Sequence, residues 1–190
     1  MSARASGPRP AWADDLRRLD AAVYAAVATT PTPALDHALR RLSRAADYSR
    51  LSVASATLLA AFGGRDGRRA AVAGLASIGV TSTVVNALIK PLGRRRRPDR
   101  AGEEVPFARH VPMPSSSSFP SGHTAAAFAF ATGVGRELPQ AAAPLRLLAA
   151  AVGYSRVHTG VHYPGDVVAG ALLGAMLAQA TTRALERRLG

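Results

Sequence analysis

The chain has 190 residues, of which 48% are hydrophobic and only 5% aromatic, and its formal net charge is +12; that length suits one compact unit and is too short for two ordinary domains with separate cores. With no Cys in the sequence, disulfides, thiolate metal sites and cysteine nucleophiles are excluded. The positive charge admits nucleic acid, an anionic membrane surface or a phosphorylated ligand without choosing among them. Ala supplies much of the apolar content, so packing rests on small side chains at close helix contacts, and Ala and Leu favour helix over strand.

In chain order, residues 1–12 are rich in Pro, Ser, Arg and Ala. They carry no apolar core of the secretory type and are expected to be disordered, which leaves membrane targeting to internal segments. Residues 13–48 read as amphipathic helices. Leu16, Leu19, Val23 and Val27 recur at helical spacing among Asp and Arg, and Leu35, Leu39 and Leu42 repeat the pattern after a Thr32-Pro33 start signal. Such helices are expected on the membrane surface or against a bundle.

Residues 49–190 form the main domain. Residues 70–89 contain no charge over 20 positions, the length a helix needs to cross the hydrocarbon core. Residues 167–182 form a second uncharged run, which reaches spanning length if its helix starts near Pro164, and Gly170 and Gly174 stand in it at close-packing spacing. Segments 51–63, 121–135 and 141–155 are shorter, and Arg146 interrupts the last. A soluble all-α protein with buried helices is the competing reading, favoured by a mean hydropathy of only +0.07; the uncharged run at 70–89 weighs against it. The expected fold is all-α: a membrane-embedded bundle of about five transmembrane helices with amphipathic helices at its N-terminus. The stretch from Pro91 to Pro120 is a loop long enough to be functional.

Three polar clusters fall at segment ends. Lys90, the only Lys in the chain, precedes Arg97-Pro98; Pro120-Ser121-Gly122-His123 opens the next segment; Ser155-Arg156, His162 and Asp166 join the last two. If the segments after Ser121 and before Ser155 form a hairpin, all three clusters converge on one membrane face. One Lys, two Arg, two His and one Asp make a poor apolar core and a good phosphate site. His162 and Asp166 are one helical turn apart, so the carboxylate can hold one imidazole nitrogen and leave the other as a neutral nucleophile. Ser121 and Gly122 sit where a helix N-terminus favours an anion, and His123 on the same turn can protonate a leaving oxygen. Lys90, Arg97 and Arg156 would hold phosphate oxygens.

These clusters, K-x6-RP, PSGH and SR-x5-H-x3-D in that order, resemble the three signature motifs of the type 2 phosphatidic acid phosphatase superfamily, and every fixed position is present. The resemblance covers roughly residues 50–182. It implies a helical-bundle membrane phosphohydrolase without metal or cofactor, with His162 as nucleophile, Asp166 as its orienting partner, His123 as general acid, and Lys90, Arg97, Ser121, Gly122 and Arg156 as phosphate binders.

The function expected is hydrolysis of a lipid phosphate monoester or diphosphate, polyprenyl or glycerophospholipid, through a phosphohistidine. The partners expected are the lipid substrate and the membrane, in a multi-pass arrangement in a bacterial inner membrane, with a role in cell-envelope lipid carriers suggested by the Ala and Arg bias. A catalytically silent lipid-phosphate binder is the alternative, against which His123, His162 and Asp166 are all present. A nucleic-acid binder would not need an uncharged 20-residue run, and the basic residues are not interleaved with aromatics. Arg94 to Arg96 read as juxtamembrane charge for anionic lipid heads, and His158 as a solvated or locally bonded loop residue. Asp99, Glu103 and Glu104 balance the Arg run. The positive-inside rule would put the charged face in the cytoplasm, whereas the family resemblance points outward.

Overall fold

The computed structural model describes residues 10–93 and 95–189, which among themselves form helices and loops with no strand. Helices α1 (Ala11–Thr29) and α2 (Pro33–Ala45) lead through a 3-10 turn (Asp47–Ser49) into α3 (Arg50–Phe62). Helix α4 (Gly64–Thr83) continues through a π-helical turn (Val84–Ile89) into the short α5 (Lys90–Leu92). After a long loop come α6 (Gly122–Glu137), α7 (Pro139–His158) and α8 (Pro164–Leu189). Helix α1 begins at Ala11, inside the stretch expected to be disordered, the rest of which lies outside the described residues apart from Pro10.

Helix α6 is the centre, packed between α4, α7 and α8. Small residues allow this. A Cβ on Gly174 would stand 2.1 Å from the Ala125 carbonyl oxygen, and one on Gly170 would stand 2.5 Å from that of Ser121, so the GxxxG face read from the sequence sets α8 backbone-to-backbone on α6. Ala56, Ala70 and Ala71 pack with Phe130 and Val134 to form the core between α3, α4 and α6. Two continuous helices are long and apolar enough to cross a membrane, Gly64–Leu92 with 29 residues and Pro164–Arg188 with 25. Helices α3 and α6, with 13 and 16 residues, are shorter than the roughly 20 residues a full crossing takes. Leu58, Phe62, Val72, Val80, Leu147, Leu172 and Met176 point outward from α3, α4, α7 and α8, an apolar exterior suited to lipid rather than water.

The N-terminal helices leave part of the apolar stripe read from the sequence exposed. Leu16, Leu19 and Val23 are exposed, while Tyr24 and Ala28 pack with Val105 and Val157 against the bundle. Helix α2 buries Asp36 and Ser43 more fully than its Leu stripe, of which Leu35 is exposed and Leu39 and Leu42 are half-buried. Asp36 and Ser43 are seven residues apart, hence on one helix face, and that polar face looks onto the charged end of the bundle.

Candidate active site

The three polar clusters converge at one end of the bundle. Each is placed by a local feature. The π-helical turn inserts one residue before Lys90 and so rotates the next stretch of chain by roughly 100° relative to regular helix; Lys90 Nζ ends 3.4 Å from where a Cβ on Gly122 would stand, an approach open to Gly. Ser121 caps α6, its hydroxyl bonded to the Thr124 hydroxyl at 2.9 Å and accepting from the Thr124 N–H, while its own N–H donates to the Asp166 carbonyl at 2.9 Å. That last bond ties the second cluster directly to the third.

The Ser121 N–H is thus spent on structure, while its hydroxyl caps α6 at the same helix start as Gly122 and His123. The Gly122 and His123 N–H groups at the start of α6 have no protein acceptor among the described residues. They and the helix dipole form the anion-facing end.

His162 is almost fully buried, in the loop before α8. Its Nδ1 lies 3.5 Å from Asp166 Oδ2, and its Nε2 lies 3.3 Å from Arg97 Nη1. A guanidinium can only donate, so Nε2 is the acceptor and the proton sits on Nδ1, toward Asp166. Burial, with Arg97 and Arg156 adding to it, lowers the His162 pKa to about 4 against the pull of Asp166. The imidazole is therefore neutral near pH 7 with its lone pair turned toward Arg97. The helical turn expected between the two residues is broken by the start of α8 at Pro164, and Asp166 instead also accepts from the Tyr163 N–H at 3.0 Å.

Arg97 spans the loop, donating to the Val161 carbonyl at 2.8 Å and to the Ser116 carbonyl at 3.0 Å. Arg156 donates to the Ser43 hydroxyl of α2 at 2.6 Å, and its Nε is buried without a partner among the described residues. Lys90 is half-buried with no hydrogen bond or ion pair among the described residues. These two vacant donors face the same end as the lone pair of His162. His123 Nε2 lies 2.9 Å from Asp47 Oδ1, on the turn between α2 and α3.

Several contacts were not foreseen. Arg95 donates to Asp166 Oδ1 at 3.0 Å, pairs with Asp20 of α1, and lies 4.4 Å over the Tyr163 ring, so it is no simple juxtamembrane charge; Arg94 lies outside the described residues. The Ser118 hydroxyl donates to Asp166 Oδ2. His158 is buried at the end of α7, bonded to the Thr32 hydroxyl at 2.9 Å and 3.2 Å from Asp36, neither solvated nor locally bonded. Arg109 of the long loop is wholly buried, bonded to Asp36 at 2.9 Å and to the Thr30 carbonyl at 2.7 Å. Only Ser118 had a signal in the sequence, its place in the loop leading into PSGH.

A helical bundle with a buried His–Asp pair facing vacant basic groups defines a phosphate-handling membrane protein class, and the comparisons agree. The chain belongs to the PAP2 superfamily, whose model matches residues 70–189. Over 95 residues it is 42% identical to decaprenylphosphoryl-5-phosphoribose phosphatase of Mycobacterium tuberculosis, covering 48% of each chain. Over 97 residues it is 34% identical to lipid A 1-phosphatase of Rhizobium johnstonii, covering 48% of this chain and 38% of that one. The chain thus spans about half the length, or less, of the curated relatives it matches. Among solved structures, LpxE of Aquifex aeolicus is similar with a TM-score of 0.71 at 27% identity, over 87% of this chain and 95% of that one. A PAP2-type phosphatidylglycerolphosphate phosphatase of Bacillus subtilis is similar at 0.68 and 25% identity, over 93% and 89%.

Proposed function

We propose that this chain is a membrane phosphatase that removes phosphate from a lipid phosphate monoester or diphosphate through a phosphohistidine. The observation that carries this reading is the His162 ring, its Nδ1 turned to Asp166 and its Nε2 to Arg97. Phosphate bound by Arg97, Lys90, Arg156 Nε, the Ser121 hydroxyl and the N–H groups of Gly122 and His123 would meet the Nε2 lone pair. Nε2 attacks phosphorus, the bond to the lipid oxygen breaks, and His123 protonates that oxygen. Water then releases phosphate, giving its proton back to His123.

A lipid leaving group is supported by an apolar hollow of about 690 Å³ bordered by Leu58, Leu59, Phe62 and Pro144 on α3 and α7. Through Ser55, Leu145 and Leu148 it adjoins a narrow cleft of about 20 Å³ beside His123. The mycobacterial relative favours a polyprenyl-phosphoryl sugar phosphate over phosphatidic acid, phosphatidylglycerol phosphate and polyprenyl diphosphate. In this reading α3, α4 with α5, α6, α7 and α8 are the five membrane segments, multi-pass in a bacterial inner membrane, and α1 and α2 lie at its surface.

The test is phosphate release by detergent-purified protein, with EDTA present, on those four lipids, beside His162→Ala. Metal-independent release that vanishes in the variant, with acid-labile phosphate trapped on the wild-type protein, supports the mechanism. No release from any of the four, or equal release by His162→Ala, refutes it and favours a silent lipid-phosphate binder.

A further inference from the structure

The histidine placed at the leaving oxygen has a carboxylate partner that none of the three motifs supplies. Asp47 lies outside the 70–189 stretch that defines the family, and its Oδ1 is 2.9 Å from His123 Nε2. Resting on the phosphatase reading, we propose that Asp47 is the positioning residue of the general acid, holding the His123 imidazolium with Nδ1–H turned to the leaving oxygen.

Charge is the first argument. A general acid begins the reaction carrying its proton, and this end of the bundle already holds Lys90, Arg97 and Arg156. Asp166 cannot serve His123 as counter-charge, because it is engaged by His162, Ser118, Arg95 and the Tyr163 N–H. Asp47 is the carboxylate on the His123 side, and it also stands 3.8 Å from Arg156 Nη1, so it balances the proton and the guanidinium together.

Backbone geometry is the second. The two residues after Asp47 are both left-handed and neither is Gly, Tyr48 with φ 56° and Ser49 with φ 57°. A side chain makes that conformation unfavourable, and unfavourable backbone of this kind collects at functional sites. The turn stops α2, redirects the chain into α3 and leaves Asp47 facing α6.

The ring itself is the third. With Nε2 committed to Asp47, Nδ1 is the nitrogen left for substrate, and it has no protein partner among the described residues. The two His–Asp pairs are complementary. Asp166 accepts from the Nδ1–H of neutral His162, which leaves a lone pair at Nε2; Asp47 accepts from the Nε2–H of His123, which as the imidazolium keeps a donor at Nδ1. In the transfer step the Nδ1 proton moves to the departing lipid oxygen as the phosphorus–oxygen bond breaks. His123 is then neutral and can accept a proton from the water that hydrolyses the phosphohistidine.

The test uses the full chain in detergent and two phosphomonoesters, the lipid phosphate that wild type prefers and 4-nitrophenyl phosphate, whose phenolate leaves without needing a proton. Asp47→Asn is expected to lower the rate of the transfer step, read as alcohol or phenolate released in a single turnover, roughly 10- to 100-fold on the lipid, within what a general acid supplies, and by less than about threefold on the aryl ester. Asp47→Glu should recover most of the lipid activity, and Asp47→Asn should cost nothing further when added to His123→Gln. Equal losses on both esters, a rise in KM alone, or full lipid activity in Asp47→Asn would overturn the proposal, the first two assigning Asp47 to Arg156 instead. A wild-type protein active on neither ester would refute the phosphatase reading itself, whereas an active wild type with an indifferent Asp47→Asn refutes only this inference.

Discussion

Arg109→Met is the substitution that most directly tests how the N-terminal helices are held. Arg109 is fully buried. Its Nε donates to Asp36 at 2.9 Å, one terminal nitrogen reaches the Val27 and Ala28 carbonyls at 3.1 Å, and the other reaches the Thr30 carbonyl at 2.7 Å and the Thr32 hydroxyl at 3.0 Å. Met fills much of the volume but leaves the Asp36 carboxylate with only Thr32 and His158 for company. Removing one partner of a buried ion pair costs about 3–5 kcal/mol. The loss should be local, since the contact joins the loop to α1 and α2 and not to α4, α6 or α8. Hydrogen exchange in detergent micelles is the assay, with faster exchange expected in α1, α2 and the 3-10 turn at Phe107–Arg109 and unchanged protection in α6. Because the penalty comes from the stranded carboxylate, adding Asp36→Asn should restore part of the protection. Uniform loss across the bundle, or a double variant worse than the sum of its parts, would refute the account.

Other expectations concern the bundle seam and the charged end. Gly174→Val drives a side chain into the Ala125 carbonyl, 2.1 Å from the first added carbon, and should prevent α8 from seating on α6, read as loss of the monodisperse folded peak on size exclusion, while a Gly79→Val control, with open space around it, should not. His162, with its pKa lowered to about 4 by burial, should stay neutral as pH falls from 8 to 5 in an NMR titration of the unliganded protein. The unfolded chain takes up this proton near 6.5 and the folded one does not, so this group's contribution to stability is complete above about pH 6.5 and declines toward pH 4. A midpoint near 6.5 would show that the ring is not shut away. Arg95→Gln frees one oxygen of Asp166 and should lower kcat roughly tenfold with KM unchanged, the worth of one charge-assisted hydrogen bond. A rise in KM instead would make Arg95 a phosphate contact.

The residues that meet at the charged end were legible because chemistry constrains their type and spacing. Lys90, Arg97, His123, Arg156, His162 and Asp166 stand at segment ends, and a hairpin of α6 and α7 returns the third cluster to the second, as the 2.9 Å bond from the Ser121 N–H to the Asp166 carbonyl shows. Ser121 also has a structural part open to a Ser at a helix start, the cap, with Thr124 three residues on as its partner. Asp20, Asp36, Asp47, Arg95 and Arg109 were illegible as site residues. Their charged partners are 71 or more residues away, so no local periodicity records them, and in α1 and α2 only Leu16, Leu19, Val23 and Leu35 of the apolar stripes point outward. A surface helix normally buries its apolar stripe; in a helix at a lipid boundary the polar face can be the one that docks.

The seating of α8 on α6 has a mechanical consequence. Ser121 and Ala125 present their carbonyls to Gly170 and Gly174, so the helix that carries His123 and the helix that follows His162 touch through main chain, with no rotamer between them to relax. Backbone is stiffer than side chain, and two helices joined this way behave as a gauge block. When a thicker or thinner bilayer tilts the bundle, they should tilt as one piece, and the separation of the two histidines should carry over unchanged from one lipid environment to another.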